Sequence, residues 1–301
     1  MNVHKLDCYK ALLSIEFEKK DLFKTLYLLI YFPFSIQTTL QNFYKLLTAI
    51  IVFIFINLSY AETAQEKGLK IAIEADRRDK GWHDSQAKLN MLLKNRQGQK
   101  SKRTLRLKAL EVEGDGDKSM TIFDTPKDVA GTVFLSFTHI NKNDDQWLYL
   151  PALKRVKRIS SRNKSGPFMG SEFSYEDMSS QEIEKYNYKY LRDEKYNNLD
   201  CFVVERIPVD KNSGYTKQIT WIDKKEYRAQ KVVFYDRKDS LLKTLKFYEY
   251  KKYLDKYWRA NRLEMINSQN NKSTILLWDN YQFKTGLSAK DFNKRMLKRV
   301  R

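Results

Sequence analysis

Few residue types in this chain could carry chemistry, and their spacing argues for binding over catalysis. Of three histidines, His83 and His139 lie beyond the N-terminal segment. Neither has a second His or a Cys at metal-ligand spacing. No Gly-x-Ser-x-Gly elbow, His-Glu-x-x-His motif or phosphate-cradling glycine loop occurs. Of the two cysteines, Cys8 and Cys201, the second precedes Phe202-Val203-Val204, a strand-like run that predicts a buried, inert thiol. Asp115 and Asp117 in Glu113-Gly114-Asp115-Gly116-Asp117 invite a calcium reading, but the remainder of an EF-hand loop is missing, so a hairpin turn is expected. Glu172, Glu176 and Asp177 read as solvated or paired with nearby bases. A dyad of distant carboxylates is the one catalytic arrangement that sequence leaves open. No catalytic set, cofactor or metal ligand is assigned.

Binding candidates concentrate between Asp145 and Met178. Lys154-Arg155-Val156-Lys157-Arg158 places Lys154, Val156 and Arg158 on one side of a strand and Arg155 and Lys157 on the other with Ile159. Two readings stand: charges that protect a sheet edge, or a cationic rim of Lys154, Arg155, Lys157 and Arg158 for anionic headgroups or an acidic partner. A loop follows with bulky apolar residues, Pro167-Phe168-Met169-Gly170 and then Phe173. Surface connections are usually polar, so Phe168, Met169 and Phe173 must pack either into the core or, as a lid, into a cavity for a greasy ligand. Trp82, Met91, Trp147 and Trp221 are further candidate cavity liners, although large aromatics in strands are core by default.

The elements that would position these residues are mostly strands. Gly68–Lys80 has helical periodicity, with Leu69, Ile71, Ala72, Ile73 and Ala75 on a broad face. From Ala87 onward the period becomes two, as in Leu105, Leu107 and Ala109, and strands recur at short intervals to Ser273–Phe283. Ser179 and Glu182 suggest a capping box, and Ser288–Val300 a closing basic amphipathic helix with Phe292, Met296 and Leu297 on one side. A mainly β fold with a few helices follows: one large antiparallel sheet, curled because so wide a sheet rarely stays flat. No repeat or linker divides residues 62–301.

Residues 1–61 read as a targeting device. Lys45, the apolar stretch Leu46–Leu58 and Ser59-Tyr60-Ala61 form a secretory signal peptide cut after Ala61. The apolar core is short for a span of ~20 residues. Residues 1–43 form an unexpected upstream extension, as if translation began downstream, near Leu40; an uncleaved signal would give a membrane-anchored form. Six of the 56 Lys/Arg and four of the 37 Asp/Glu lie in residues 1–61, so residues 62–301 keep a net charge of +17. Strong basic charge favours anionic partners, and export lowers the nucleic-acid reading.

The block Trp147-Leu148-Tyr149-Leu150-Pro151-Ala152-Leu153-Lys154-Arg155-Val156-Lys157-Arg158-Ile159, then Pro167-Phe168-Met169-Gly170-Ser171 and Phe173-Ser174-Tyr175-Glu176-Asp177-Met178, resembles the LolA-like outer-membrane lipoprotein-sorting proteins. More narrowly, it resembles the branch found beside RND-type exporters. Ala75-Asp76-Arg77-Arg78-Asp79-Lys80-Gly81-Trp82, Asn95-Arg96-Gln97-Gly98 and Trp221-Ile222-Asp223 extend the resemblance over nearly all of residues 66–300; residues 1–43 depart from it. The resemblance implies a curved, half-open antiparallel β-barrel with helices plugging its concave side. It also implies a periplasmic carrier of acyl chains from a lipid or lipoprotein, with an RND-type exporter or an outer-membrane acceptor as partner. A non-carrier adaptor or lipid sensor docked on an exporter is the alternative.

Overall fold

The computed structural model describes residues 41, 43–47 and 62–299. Gln41 and residues 43–47 are helical; the expected signal core, its cut site and the upstream extension otherwise lie outside the described residues. The chain divides between Ala61 and Glu62, and everything below concerns the second unit. No helix among the described residues is long and apolar enough to cross a membrane.

Helix α1, Ala64–Asp79, comes first. It starts four residues before the expected Gly68 because Thr63 and Glu66 form a capping box: Thr63 Oγ1 accepts from Glu66 N and Glu66 Oε2 accepts from Thr63 N. These bonds satisfy backbone donors that the first turn leaves free. Gly68, Ile71 and Ala72 are buried, whereas Leu69 and Ile73 are exposed; the apolar face is narrower than the periodicity suggested.

Thirteen strands follow: β1 (Asp84–Lys94), β2 (Lys100–Leu110), β3 (Lys118–Thr125), β4 (Val133–Phe137), β5 (Asp145–Leu150), β6 (Arg155–Ile159), β7 (Tyr186–Tyr196), β8 (Leu199–Pro208), β9 (Tyr215–Asp223), β10 (Ala229–Asp236), β11 (Leu241–Tyr253), β12 (Tyr257–Asn267) and β13 (Ser273–Phe283). They form one antiparallel sheet in the order β6-β5-β4-β3-β2-β1-β13-β12-β11-β10-β9-β8-β7. Two meanders are thus stitched together where β1 pairs with β13, as Leu89 opposite Trp278 and Met91 opposite Leu276. The sheet is a curved half-barrel that does not close, with β6 and β7 as its edges. Consecutive strands β6 and β7 therefore lie at opposite edges, and the Ser160–Lys185 connection must cross the inner face.

Alternation decides which side chains face inward. Leu89, Met91, Leu105, Phe123, Phe134, Leu148, Phe234, Leu245, Met265 and Leu276 form the main core on the inner face. Met120, Ile122, Val133 and Leu135 point outward from β3 and β4 and are covered by Phe292 and Leu297. Both faces of these two strands are buried, which explains their nearly continuous apolar sequences. The covering segment is not the expected helix over Ser288–Val300. It consists of two 3₁₀ turns, Ala289–Asp291 and Lys294–Lys298. Phe292 and Leu297 lie five residues apart, too far to share one face of an α-helical turn, and the strap of 3₁₀ turns seats both while leaving Met296 exposed. Asp84 on β1 holds the start of this strap, accepting from Thr285 N at 2.8 Å and Gly286 N at 3.3 Å.

The expected Ser179–Glu182 box is also absent. Ser180 Oγ donates to Glu182 Oε1 at 2.6 Å instead, and the turn Ile183–Lys185 has no side-chain cap.

α1 packs on edge strand β7 through Gly68. A Cβ there would lie 2.6 Å from Tyr190 N and 2.8 Å from Lys189 backbone atoms. Backbone cannot step aside as a flexible side chain does, so Gly68→Ala should destabilise the protein by about 2 kcal/mol. Thermal unfolding measures this as a fall in Tm of several degrees.

Candidate functional site

Between α1, the Ser160–Lys185 connection and the inner face of the sheet lies a cavity of about 1890 Å³. Its floor is apolar, with Val232, Phe234, Phe247, Leu263 and Trp278 rising from β10 to β13. Its rim is charged. The floor follows from period-two patterning, since these side chains sit on the inward register of their strands.

Two walls are held by polar bonds. At the end of α1, Asp79 pairs with Arg259 of β12, Lys256 Nζ donates to Lys80 O at 2.6 Å, and Glu111 accepts from Gly81 N and His83 N at 2.7 and 2.8 Å. Burial raises the Asp79 carboxyl, against the pull of Arg259.

The second wall is the connection. Phe168 is fully buried, with ring centroids 5.9 Å from Phe123, 5.1 Å from Phe134 and 5.5 Å from Tyr175. Farther along, Asp177 meets Lys243 of β11 at 2.6 Å, with only 9% and 4% of their side chains exposed. Asp177 also accepts from Ser174 N at 2.7 Å and Tyr215 Oη at 2.8 Å, while Lys243 Nζ donates to Glu172 O at 2.9 Å. Glu176 accepts from Ser213 Oγ and Gly214 N at 2.5 and 2.9 Å. A buried charge is tolerable only when paired and hydrogen-bonded, and here each is. Burial pushes the Tyr215 hydroxyl well above its ordinary range.

The sequence candidates separate. Trp82 and Phe173 line the cavity; Trp82 packs edge-on against Phe283 at 6.5 Å. Met91 and Phe168 are sealed in the core behind it, and Met169, with φ of 50°, packs against that core from a left-handed turn. Phe168 thus occupies a core position, and Phe173 is the member of the loop trio that borders the space. Trp147 and Trp221 do not line the cavity. Trp147 packs under the C-terminal strap, 5.2 Å from Phe137. Trp221 packs outside with Cys201 and Val203, its ring 3.4 Å from Lys231 Nζ. Each sits one residue out of register from an inward neighbour, Leu148 or Ile222, and a one-residue offset reverses the face. Cys201 is free, and burial raises its thiol to about 11.

The basic strand β6 is the sheet edge. Arg158 pairs with Asp145 at 2.6 Å, whereas Lys154, Arg155 and Lys157 are exposed and make no ion pair among the described residues. Lys154 occupies a left-handed cap with φ of 47°. Asp115 belongs to a turn, as the spacing suggested: its carboxylate contacts His139 Nδ1 at 2.7 Å and accepts from Ile140 N at 3.0 Å, which holds it down to about 2. Among the described residues no group of three or more His, Cys, Asp or Glu gathers as a metal site.

Sequence reasoning missed the cavity-floor residues Phe234 and Trp278, the Lys243–Asp177 anchor, and Arg206, Gln218 and Thr220. For Lys243 there was a signal: it alternates with Leu245 and Phe247, an inward-facing lysine in an otherwise apolar register.

A family model described as "Uncharacterized protein" matches residues 115–299. A crystal structure assigned as an outer membrane lipoprotein-sorting protein domain from Vibrio parahaemolyticus is 64% identical, with TM-score 0.77, covering 78% of this chain and 99% of that one. A DUF1329 family protein from Desulfovibrio piger is 29% identical, with TM-score 0.74 and the same coverage. A LolA superfamily protein from Nitrosomonas europaea, at 21% identity and TM-score 0.61 over 78% and 99% of the two chains, shares the fold. No curated protein matches. The chain belongs to the same family as that outer membrane lipoprotein-sorting protein domain, and its fold is that of the LolA superfamily protein.

Two outcomes follow from these walls. Lys243→Met strands the Asp177 carboxylate and should cost about 3–5 kcal/mol, read by urea unfolding. Asp117 lies at the cavity rim, where burial, with Glu182, Glu111 and Asp79 nearby, pushes its carboxyl up to about 7. The folded state then holds a proton that the unfolded state has released, so its contribution is full below about pH 4 and is lost as pH rises through about 7. Asp117→Asn should remove about 1–2 kcal/mol of that decline, allowing for partial solvent contact. Stability curves of both proteins from pH 4 to 8 measure the difference.

Proposed function

We propose that this chain is a periplasmic carrier. It shelters the acyl chains of a lipid or lipoprotein in the inner-face cavity and moves them toward the outer membrane, beside an RND-type exporter. The observation that carries this reading is the cavity: about 1890 Å³, beyond the 300–1,000 Å³ of ordinary small-molecule pockets, with an apolar floor and a polar rim. The close relative from Vibrio parahaemolyticus, assigned to lipoprotein sorting, supports it. So does the order Lys45, apolar stretch, Ser59-Tyr60-Ala61, which fits export with cleavage after Ala61.

Burying one methylene stabilises by about 0.8 kcal/mol, so a chain of a dozen gains roughly 10 kcal/mol before ordering costs. A carrier must release its cargo, and part of that gain has to offset the opening of a wall. Phe173, Met178 and Ile183 are the apolar side chains of the connection that border the cavity and that cargo displaces, while Phe168 keeps the loop rooted. Exposed Arg155 and Lys157 on β6 give the sheet edge a cationic rim suited to anionic headgroups.

Native mass spectrometry of the protein purified from periplasm tests the reading. A carrier comes out with stoichiometric lipid or acylated peptide and hands it to acceptor vesicles. Recovery without cargo, bound to an inner-membrane partner and inactive in transfer, favours the adaptor.

A further inference from the structure

Five arginines line the cavity, and four are neutralised. Arg77 and Arg78 pair with Glu74 at 2.7 Å, Arg228 with Asp223 at 2.9 Å, and Arg259 with Asp79. Arg206 of β8 is the exception: among the described residues no carboxylate pairs with it. The nearby carboxylates of the connection are already engaged, Asp177 by Lys243 and Tyr215, and Glu176 by Ser213 and Gly214. Asp76 of α1, which also lines the cavity, is taken by Lys80 at 2.6 Å.

The Arg206 side chain is nonetheless held in place. Its Nε donates to Oε1 of Gln218 at 2.7 Å, and Gln218 is itself almost fully buried. Its guanidinium lies 4.9 Å from the centre of the Tyr186 ring. A fixed, half-buried guanidinium with donors left over is suited to bidentate capture of an oxyanion. Beside it stands a second unsatisfied group. Thr220 is 7% exposed, lines the cavity, and its Oγ1 has no hydrogen-bond partner. Its neighbours on β8 and β10 are Val204 and Val232, so neither adjoining strand offers a polar side chain directly opposite. A buried hydroxyl without a partner is costly, and a ligand oxygen would satisfy it.

We propose that Arg206, positioned by Gln218 and Tyr186 and assisted by Thr220, is a headgroup station that selects cargo bearing an oxyanion at the end of its acyl chain. The inference rests on the carrier reading and narrows its cargo: a fatty-acid carboxylate or a lipid phosphate is preferred over an uncharged acylated group. The apolar floor from β10 to β13 takes the chain, and β8–β9 takes the charged end.

The test is isothermal titration of the purified protein, stripped of bound lipid, with palmitate, palmitoyl lysophosphatidic acid and methyl palmitate. We expect at least one charged ligand to bind tenfold or more tightly than the ester, and the tighter of the two names carboxylate or phosphate as the source. Arg206→Met should abolish that preference, so that the charged ligands bind no more tightly than the ester, and Arg206→Lys should keep part of it. Thr220→Val should reduce it severalfold and serves as the second variant if Arg206→Met does not fold. Equal binding of charged and uncharged ligands by the native protein, or a preference that survives Arg206→Met, overturns the headgroup station alone. Binding of none of the three overturns the carrier reading and this one with it.

Discussion

The pairing of β1 with β13 in the middle of the sheet sets the terms for everything else. Because those strands join, the two meanders grow outward in opposite directions, and β6 and β7, adjacent in sequence, become the two edges. The chain between them has to traverse the inner face. A segment in that position cannot behave as an ordinary surface loop, because its backbone polar groups and side chains meet a hydrophobic sheet. The protein answers with apolar side chains at one end, Phe168 against Phe123 and Phe134, and a polar network at the other, Asp177 and Glu176 against β9, β11 and the β8–β9 turn.

That division explains why a cavity exists at all. The connection fills the part of the inner face near β3 and β4, and α1 covers the part near β7. Between them β10 to β13 present aliphatic and aromatic side chains to open space. The walls are anchored by the directional pairs Asp79–Arg259 and Lys243–Asp177 and by the close backbone approach of α1 to β7 at Gly68, rather than by continuous apolar packing across the gap. Such anchoring holds an apolar pocket open where unconstrained hydrophobic collapse would close it. The outer face over β3 and β4 is covered by the C-terminal strap, which seats Phe292 and Leu297.

Much of this was legible in residue order. Period two from Ala87 onward marked a long run of strands, because alternating burial writes itself directly into alternating residue type, while β3 and β4, buried on both faces, carry nearly continuous apolar runs. The apolar loop announced itself through Phe168, Met169 and Phe173, which have no reason to sit between Pro167 and Ser174 unless something covers them. The errors are as informative. Trp147 and Trp221 were candidate cavity liners with core as the default for strand aromatics, and their neighbours Leu148 and Ile222 hold the inward register. Ser288–Val300 has helical composition, yet its described residues form two short 3₁₀ turns over the sheet surface. The start of α1 was missed because the Thr63–Glu66 box lies just before the residues whose periodicity marked the helix.

What the sequence alone determined is the class of structure: a mainly β chain, rich in alternating segments, with one anomalous apolar connection. Those properties are local, written in periods of two or a few residues. Only the tertiary structure decided which face is inside, which aromatics border the cavity, and which charges find partners. Arg206 and Arg228 are equivalent in sequence terms, a basic residue in or beside a strand. One meets Asp223 across a turn and the other faces a cavity beside an unpartnered threonine. That difference arises from strand order and register, which pair residues far apart in the chain, and no local pattern encodes it.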